Sequence, residues 1–324
     1  MKRMVRAGIQ ESISPVLLQD FTREVELVRI PDEPVGDIEI EMWIAPASLK
    51  IIRRQLPHLR GLQVVQSLWA GVDLLQPLFP PHVMLCDAQG VHDIPTAEWV
   101  VAAILAMQKY LLFYFSLQQA EDWAGRRQAE QLYRQAHASP PELRSPALID
   151  ELADTTVLIV GYGSIGKAIE VRLAAFGPRF LRVARHAREG VASVMQLDEL
   201  LSQADIVVLI VPLTAETRHL MDAARIARMK RGALLVNAAR GPVVDTDALL
   251  QALNDRRIRA AIDVTDPEPL PVGHPLWKAP NLLITPHVAG ASALFLKRAL
   301  KLASEQAQRY ARGEPLINVV EAGY

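Results

Sequence analysis

The chain has 324 residues, of which 50% are apolar and 22% are charged, the balance of an ordinary soluble globular protein with a large core. A chain of this length is expected to form two domains, and a net charge of −1 leaves no basic field for nucleic acid or an anionic membrane surface. Cys86 is the only cysteine, which excludes an intrachain disulfide and a thiolate metal cage, so we predict no metal and a buried thiol.

The N-terminal part predicts a small α/β domain. Met1–Arg6 is basic, but no continuous apolar core follows it, so we expect no secretion signal and a cytoplasmic location. A helix is predicted at 49–56. Apolar, β-rich runs predict strands at 25–30, 40–45, 62–67 and 83–86. This succession is typical of a flavodoxin-like substrate domain.

The stretch 99–117 is nearly all apolar and about long enough to span a bilayer. Gln108 and Lys109 lie in its middle, where polar side chains would be costly in lipid. We therefore expect a long helix beginning near Thr96, buried between domains or subunits, and no membrane span. The stretch 121–150 is polar and contains three prolines, which predicts a surface excursion.

From Thr155 onward the chain alternates strand and helix patterns. The strand runs are apolar on both faces, which indicates a parallel sheet covered by helices. The strand runs lie at 155–160, 180–184, 205–211, 233–237, 259–264 and 281–285, and helical patterns at 165–176, 198–203, 222–229 and 247–255. We predict a doubly wound, Rossmann-type domain at 96–291. A last helix, 292–312, would return to the first domain, which then comprises 1–95 and 292–324.

The first strand of this series ends on Gly161-Tyr-Gly163-Ser-Ile-Gly166, and a helical pattern follows at once. In this context Gly161 makes a tight turn, Gly163 lets a pyrophosphate approach the backbone, and Gly166 lets helix and strand pack closely. The diphosphate would bind the free N–H groups of the helix N-terminus. The spacing therefore predicts a dinucleotide site, with a merely structural turn as the alternative.

The residues after the second strand bear on which dinucleotide binds. NAD sites place an acid about 20 residues past the first glycine, whereas here Ala184 ends the strand and Arg185, His186 and Arg188 follow. A guanidinium pairs with a 2′-phosphate that an acid would repel. We predict that NADP(H) is preferred and that NAD(H) is possible. The alternatives are a solvated basic loop, or Glu189 as the acid in a shifted alignment.

Three polar residues follow predicted strands at the sheet edge where ligands bind in open α/β folds: Arg240, Glu268 and His287. Each alone is typical of a solvated loop. Together they supply an anion binder, a carboxylate and a titrating imidazole. Reduction of a 2-keto acid needs such a set, because hydride addition to the carbonyl carbon requires a proton on its oxygen.

Several motifs, in this order, give the chain a resemblance to the D-isomer-specific 2-hydroxyacid dehydrogenase family from roughly Leu62 to Val320. They are Trp69-Ala-Gly-Val-Asp73, the glycine turn, Val211-Pro-Leu-Thr214 with Glu216-Thr217, Val236-Asn-Ala-Ala-Arg-Gly241, Asp263-Val through Glu268-Pro-Leu270, His274-Pro-Leu276 and Thr285-Pro-His287.

The resemblance implies a role for each polar residue. His287 would be the acid/base that protonates the carbonyl oxygen, Glu268 would hydrogen-bond the imidazole and favour its charged form, and Arg240 would bind the keto acid and polarise its carbonyl. The remaining roles concern binding. Backbone N–H groups of Ala70 and Gly71 would hold the substrate carboxylate, Ser164 and Ile165 would face the pyrophosphate, Asp263 would hold the nicotinamide carboxamide, and Pro212 and Thr217 would border the nucleotide.

We therefore predict an NADPH-preferring reductase of small 2-keto acids such as glyoxylate or hydroxypyruvate, with a closing cleft between two domains and a homodimeric assembly. The alternatives are an NAD-linked member acting on 3-phosphoglycerate or D-lactate, and a dinucleotide-sensing regulatory protein on the same fold. Two features depart from the family pattern: Trp99 stands where a histidine is frequent, and the stretch 121–150 is long.

Overall fold

The computed structural model describes residues 4–136 and 150–320. These residues form two compact units, each with its own parallel sheet. Unit 1 takes the described residues through His92 together with those from Ala291 onward, and unit 2 runs from Asp93 to Gly290. The chain therefore passes between units at 92/93 and 290/291, where the sequence pattern predicts 95/96 and 291/292.

Unit 1 is built on a five-stranded parallel sheet in the order β2-β1-β4-β6-β7. Its strands are β1 (Val5–Gln10), β2 (Val25–Ile30), β4 (Met42–Ile44), β6 (Val64–Gln66) and β7 (Met84–Cys86), while β3 (Ile38–Glu39) pairs with β5 (Leu59–Arg60). When these five strands are renumbered 1 to 5 in chain order, their order in the sheet is 2-1-3-4-5, which is the flavodoxin-like order.

Strand β1 lies between β2 and β4, yet the sequence analysis did not predict it. It overlaps the basic N-terminal residues, although Val5, Ala7 and Ile9 alternate with polar or small residues in the period-2 pattern of a strand. A Cβ atom on Gly8 would lie 2.5 Å from Cδ1 of Ile30, so a larger residue there would require the isoleucine side chain to move. The strand is almost fully buried, and it pairs with β2 on one side and with β4 on the other.

Two α-helices lie in the described part of unit 1. Helix α1 (Leu49–Gln55) begins after Ser48, whose hydroxyl oxygen accepts a hydrogen bond from the N–H of Ile51. Helix α9 (Phe295–Arg312) packs its apolar side against the sheet and ends at Gly313, which has the left-handed φ of 67° typical of a helix C-terminus. Cys86 is buried as predicted, and burial raises the pKa of its thiol to about 11.

Unit 2 is built on a seven-stranded parallel sheet in the order β10-β9-β8-β11-β12-β13-β14. The strands are β8 (Thr156–Val160), β9 (Arg179–Ala184), β10 (Ala192–Ser193), β11 (Ile206–Leu209), β12 (Leu234–Asn237), β13 (Arg259–Ile262) and β14 (Leu282–Ile284). When these seven strands are renumbered 1 to 7 in chain order, their order in the sheet is 3-2-1-4-5-6-7, which is the Rossmann order with one further strand. The predicted doubly wound domain is confirmed.

Helices cover both faces of this sheet. Because successive strand residues point to opposite sides, each strand contributes side chains to two cores. Val157 and Ile159 of β8 pack with helices α2 (Asp93–Gln108) and α5 (Ser164–Leu173). Leu158 and Val160 pack in the opposite core, to which helices α6 (Leu197–Leu201), α7 (Ala223–Arg228) and α8 (Thr246–Asn254) contribute. Continuous apolar strand runs are therefore explained by burial on two faces.

The apolar stretch 99–117 does not form one helix, so this part of the prediction is wrong. Helix α2 begins at Asp93, and Tyr110 adopts a left-handed φ of 53° before helix α3 (Leu111–Gln119) begins. The two helices are bent by 67°. Helix α2 is largely buried within unit 2, whereas α3 buries none of its residues. In the described part of the chain, no single helix is long and apolar enough to cross a membrane, and α2 with α3 reaches that length and composition only as this bent pair.

Gln108, at the end of helix α2, has a polar partner inside the unit. Arg259 on β13 is only 4% exposed, and its guanidinium donates to the Gln108 side chain at 2.8 Å and lies 2.9 Å from the Asp150 carboxylate. Lys109 donates to the Asp150 carbonyl at 2.6 Å. The polar interruption of the apolar stretch is therefore the place where it contacts β13 and residue 150.

Within the stretch 121–150, for which the sequence predicts a surface excursion, the structure has helix α4 (Gln128–Ala136). Residues 137–149 of this stretch lie outside the described residues.

Candidate active site

The glycine turn joins β8 to α5, and each glycine has a distinct steric reason. Gly161 has a φ of 104°, and a Cβ there would lie 2.5 Å from the carbonyl oxygen of Ile210. A Cβ on Gly166 would lie 2.9 Å from the carbonyl oxygen of Gly161. A Cβ on Gly163, by contrast, would meet nothing within 4 Å, so the turn presents open backbone there. Open backbone of this kind can accommodate a pyrophosphate, and we refer to it as the cradle.

Backbone N–H groups face this cradle from the first turn of α5. Gly163 precedes the helix without any side-chain cap, and the first backbone bond of the turn runs from the N–H of Lys167 to the carbonyl of Gly163. The N–H groups of Ser164 and Ile165 precede that bond and are suited to an anion. The Ser164 hydroxyl itself donates to the Asp93 carboxylate at 3.0 Å.

The two arginines after β9 contact different parts of unit 2. Arg188 donates a hydrogen bond to the carbonyl oxygen of Tyr162, inside the glycine turn. Arg185 pairs with Glu216, with 3.3 Å between Nη2 and Oε1. Ala184 ends β9 as predicted, so the structure describes no acid at the strand end itself.

Glu216 belongs to the loop after β11 that contains Pro212 and Thr217. The Thr217 hydroxyl donates to the Pro212 carbonyl at 2.6 Å and accepts from the N–H of Thr214 at 2.8 Å. The Thr214 hydroxyl donates to Glu216 at 2.8 Å. The threonines of this motif therefore fix the loop, and their role as a border of the nucleotide site stays a prediction.

Arg240 lies in the loop after β12, whose shape is set by Asn237. The Asn237 side chain is 1% exposed, accepts from the N–H of Ala239 at 3.0 Å and donates to the Arg240 carbonyl at 3.1 Å. The next residue, Gly241, packs directly against the loop after β13, because a Cβ there would lie 1.9 Å from the carbonyl oxygen of Thr265. Only glycine allows the loop of Arg240 and the loop of Glu268 to approach so closely.

His287 and Glu268 are in direct contact, with 2.5 Å between Nδ1 and Oε1. Both side chains are partly open, at 47% and 40% exposure. The loops that carry them follow β14 and β13, two neighbouring strands of the parallel sheet. Because Nδ1 faces the carboxylate, Nε2 is the ring nitrogen left to exchange a proton with a substrate.

Asp263 holds the loop of His287 in place. Its carboxylate is 2% exposed and accepts hydrogen bonds from the Thr285 hydroxyl at 2.5 Å, the Val288 N–H at 2.9 Å and the Ala289 N–H at 2.8 Å. The N–H of His287 donates to the Asp263 carbonyl at 2.7 Å, and His287 has a left-handed φ of 54°. The family resemblance assigns Asp263 only to the nicotinamide carboxamide, which stays a prediction, and gives no sign of this contact with the histidine loop.

Ala70 and Gly71 lie in unit 1, in the turn that follows β6. The Ser67 hydroxyl accepts from the N–H of Trp69 at 2.9 Å, and the Trp69 carbonyl accepts from the N–H of Ala88 at 3.0 Å. These bonds shape the backbone just before Ala70, and the role of its N–H group toward a substrate carboxylate stays a prediction.

Comparison with known proteins supports a common origin. The family model for the NAD-binding domain of D-isomer-specific 2-hydroxyacid dehydrogenases matches residues 103–289. A glyoxylate reductase from Thermofilum pendens is 35% identical over 284 residues, covering 86% of this chain and 76% of the relative.

Two solved structures share the fold over 99% of this chain and all of their own chains. One is an NADPH-dependent glyoxylate/hydroxypyruvate reductase from Sinorhizobium meliloti in complex with NADP and sulfate, at a TM-score of 0.78 and 26% identity. The other is a D-isomer-specific 2-hydroxyacid dehydrogenase from Xanthobacter autotrophicus Py2 in complex with NADPH and MES, at a TM-score of 0.77 and 29% identity.

Proposed function

Because the chain belongs to the D-isomer-specific 2-hydroxyacid dehydrogenase family, we propose that it is an NADPH-preferring reductase of small 2-keto acids of the glyoxylate or hydroxypyruvate type. The enzyme class itself, an NAD(P)-linked oxidoreductase of 2-hydroxy acids, follows from membership. The product would be a D-2-hydroxy acid wherever the carbon is chiral.

The observation that carries the proposal is the contact between His287 and Glu268. When bound, the reduced nicotinamide supplies the hydride that adds to the carbonyl carbon. Nε2 of a protonated His287 gives its proton to the carbonyl oxygen, while Glu268 holds the ring orientation through Nδ1 and stabilises its positive charge. Atoms and charge balance, since one hydride and one proton convert the ketone to the alcohol.

Arg240 has the chemistry to bind and polarise the keto acid. A guanidinium is permanently charged and offers two parallel donors to a carboxylate or a carboxylate–carbonyl pair. Its loop is held by the buried Asn237 and by the close packing of Gly241 on Thr265. Backbone N–H groups of Ala70 and Gly71 are proposed as carboxylate donors on the sequence resemblance alone.

The residues present fit a dinucleotide phosphate. Gly163 leaves open backbone beside the first-turn N–H groups of α5, which suits the pyrophosphate. Arg185 follows directly on the strand end where NAD sites carry an acid, and Arg188 contacts the glycine turn. This placement supports a preference for NADPH over NADH.

The test is NADPH oxidation at 340 nm with glyoxylate, hydroxypyruvate, pyruvate and a phosphorylated keto acid, for the wild type and His287→Asn. We expect turnover of the small unphosphorylated acids by the wild type and its loss in the variant. Tight NADPH binding without turnover of any 2-keto acid would instead favour a dinucleotide-sensing regulatory protein.

We further propose that the enzyme is a homodimer that covers helix α3. Leu111, Leu112 and Phe115 are exposed on this helix, and Trp123 just after it is 82% exposed. An apolar surface of this kind is typical of a protein interface. Light scattering on Leu112→Glu should show a monomer, while the control Val272→Glu, at a fully exposed apolar residue elsewhere in unit 2, should remain dimeric.

A further inference from the structure

The arginine assigned to the 2′-phosphate already has an anionic partner. Nη2 of Arg185 lies 3.3 Å from Oε1 of Glu216, although the two residues are 31 positions apart in the chain. The side chains are 60% and 67% exposed. An exposed ion pair contributes little to stability, so this pair separates easily when a stronger anion arrives.

Glu216 stays in place when Arg185 moves, because a second bond holds it. Its Oε2 accepts a hydrogen bond from the Thr214 hydroxyl at 2.8 Å, and the loop around it is closed by Thr217. The hydrogen bond from Thr214, its own backbone N–H and the charge of Arg185 hold the pKa of the Glu216 carboxyl below its usual range. Glu216 is therefore a fixed negative charge at neutral pH.

We propose that Glu216 is a specificity-determining residue that competes with the 2′-phosphate of NADPH for Arg185 and so limits the preference for NADPH over NADH. The inference rests on the proposed function, since it takes Arg185 as the phosphate-binding residue. Glu216 does not touch the reacting atoms, so its effect falls on cofactor choice.

The physical argument depends on the charge of the ligand. A 2′-phosphate carries about −1.5 to −2 charges at pH 7, and a fixed carboxylate beside the guanidinium that binds it repels it. A 2′-hydroxyl is neutral and can donate a hydrogen bond to a carboxylate. Glu216 therefore penalises NADPH and leaves NADH bound as well or slightly better.

The opposite role is also physically defined, and it predicts the opposite sign. If Glu216 served to orient Arg185 toward the phosphate, its neutralisation would weaken NADPH. The variant Glu216→Gln separates the two roles, because the amide oxygen still accepts the bond from Thr214 while the negative charge is lost.

The experiment measures the Kd of NADPH, NADH, 2′,5′-ADP and 5′-AMP for the wild type, Glu216→Gln and Arg185→Ala. Glu199→Gln is the matched control, because it removes the same charge from an exposed glutamate on α6. We expect Glu216→Gln to lower the Kd of NADPH and of 2′,5′-ADP by roughly 3- to 5-fold, on the scale of an exposed charge pair, and to leave the Kd values of NADH and 5′-AMP within about twofold. Glu199→Gln should leave all four Kd values unchanged.

Salt adds a readout that a purely steric role would not move. The gain in Glu216→Gln should shrink between about 0.05 M and about 1 M salt, because the Debye length falls to about 3 Å. Unchanged or weaker NADPH binding in Glu216→Gln would overturn the inference. If Arg185→Ala still raises the Kd of NADPH selectively in that case, the proposed cofactor preference stands and only the inference about Glu216 fails. If Arg185→Ala has no selective effect, both the proposed cofactor preference and the inference about Glu216 fail.

Discussion

Two loops at the same edge of the seven-stranded sheet are held in very different ways. The loop of His287 is fixed by the buried Asp263, whose carboxylate accepts three hydrogen bonds. In the segment after β9, by contrast, Arg185 is paired with Glu216 through an exposed contact. Buried hydrogen bonds are costly to lose, whereas exposed charge pairs are not. The loop of the proposed proton donor is thus fixed by buried hydrogen bonds, whereas the contact of Arg185, the residue proposed for cofactor choice, costs little to lose.

The largest effect should come from the proton donor. His287→Asn should lower kcat for keto-acid reduction by roughly 100-fold or more, the usual scale of acid–base catalysis, while NADPH binding is retained. Asparagine tolerates the left-handed backbone of His287, so the loop should be preserved.

His219 provides a matched control for this substitution. It also has a left-handed φ, and its Nδ1 lies 3.9 Å from the Asp245 carboxylate. His219→Asn should leave kcat within about twofold, far below the scale of acid–base catalysis. A near-normal kcat in His287→Asn would remove this histidine from the mechanism.

Asp263, which holds the loop of His287, should matter for both stability and turnover. Asp263→Ala leaves the Thr285 hydroxyl and two N–H groups without their acceptor, so we expect unfolding free energy to fall by about 2–4 kcal/mol and kcat by roughly 10- to 100-fold. Denaturant titration and steady-state kinetics measure the two.

The contrast comes from a partly exposed ion pair in the same unit. Asp198→Ala removes the carboxylate that lies 2.7 Å from Arg225, and the Asp198 side chain is 44% exposed. This change should cost less than about 1 kcal/mol and leave kcat unchanged. Equal destabilisation by the two substitutions would show that the histidine loop is not specially fixed.

A smaller effect is expected at the keto-acid binder. Arg240→Lys keeps the charge but loses the two parallel donors, so KM should rise and kcat/KM should fall by about 10- to 50-fold. Steady-state kinetics over a glyoxylate series tests this. A change confined to the Kd of NADPH would place Arg240 in the nucleotide site instead.

The smallest effect concerns the exposed segment. Arg185→Ala should raise the Kd of NADPH by about 5- to 30-fold and leave the Kd of NADH nearly unchanged, since one charge-assisted contact is lost. The free energy of unfolding of this variant should stay within about 0.5 kcal/mol of the wild-type value, as for most exposed substitutions. Equal loss of both cofactors, measured by fluorescence titration, would make Arg185 a structural residue.

The sequence predicts best where local chemistry and burial agree. The runs that form β8, β11 and β12 are apolar on both faces, and the three glycines after β8 have the steric environments that their spacing indicates. Glu268 and His287 were grouped because each follows a strand, and parallel strands place such ends at one edge.

The missed features depend on tertiary contacts that leave no local signal. Tyr110 breaks the apolar stretch by a left-handed turn without any glycine or proline. The contacts of Asp263 with Thr285, and of Arg185 with Glu216, join residues 22 and 31 positions apart. No pattern in one sequence specifies such pairs.

The most direct test of the account is the ratio of kcat/KM for NADPH to that for NADH, measured with wild-type protein and glyoxylate at a fixed, low salt concentration. We expect glyoxylate reduction with both cofactors. The ratio should be roughly 10 or more in favour of NADPH, as one net phosphate contact of about 1.4 kcal/mol would give. A ratio at or below one would contradict the assignment of Arg185, and the absence of glyoxylate or hydroxypyruvate reduction with either cofactor would contradict the proposed function.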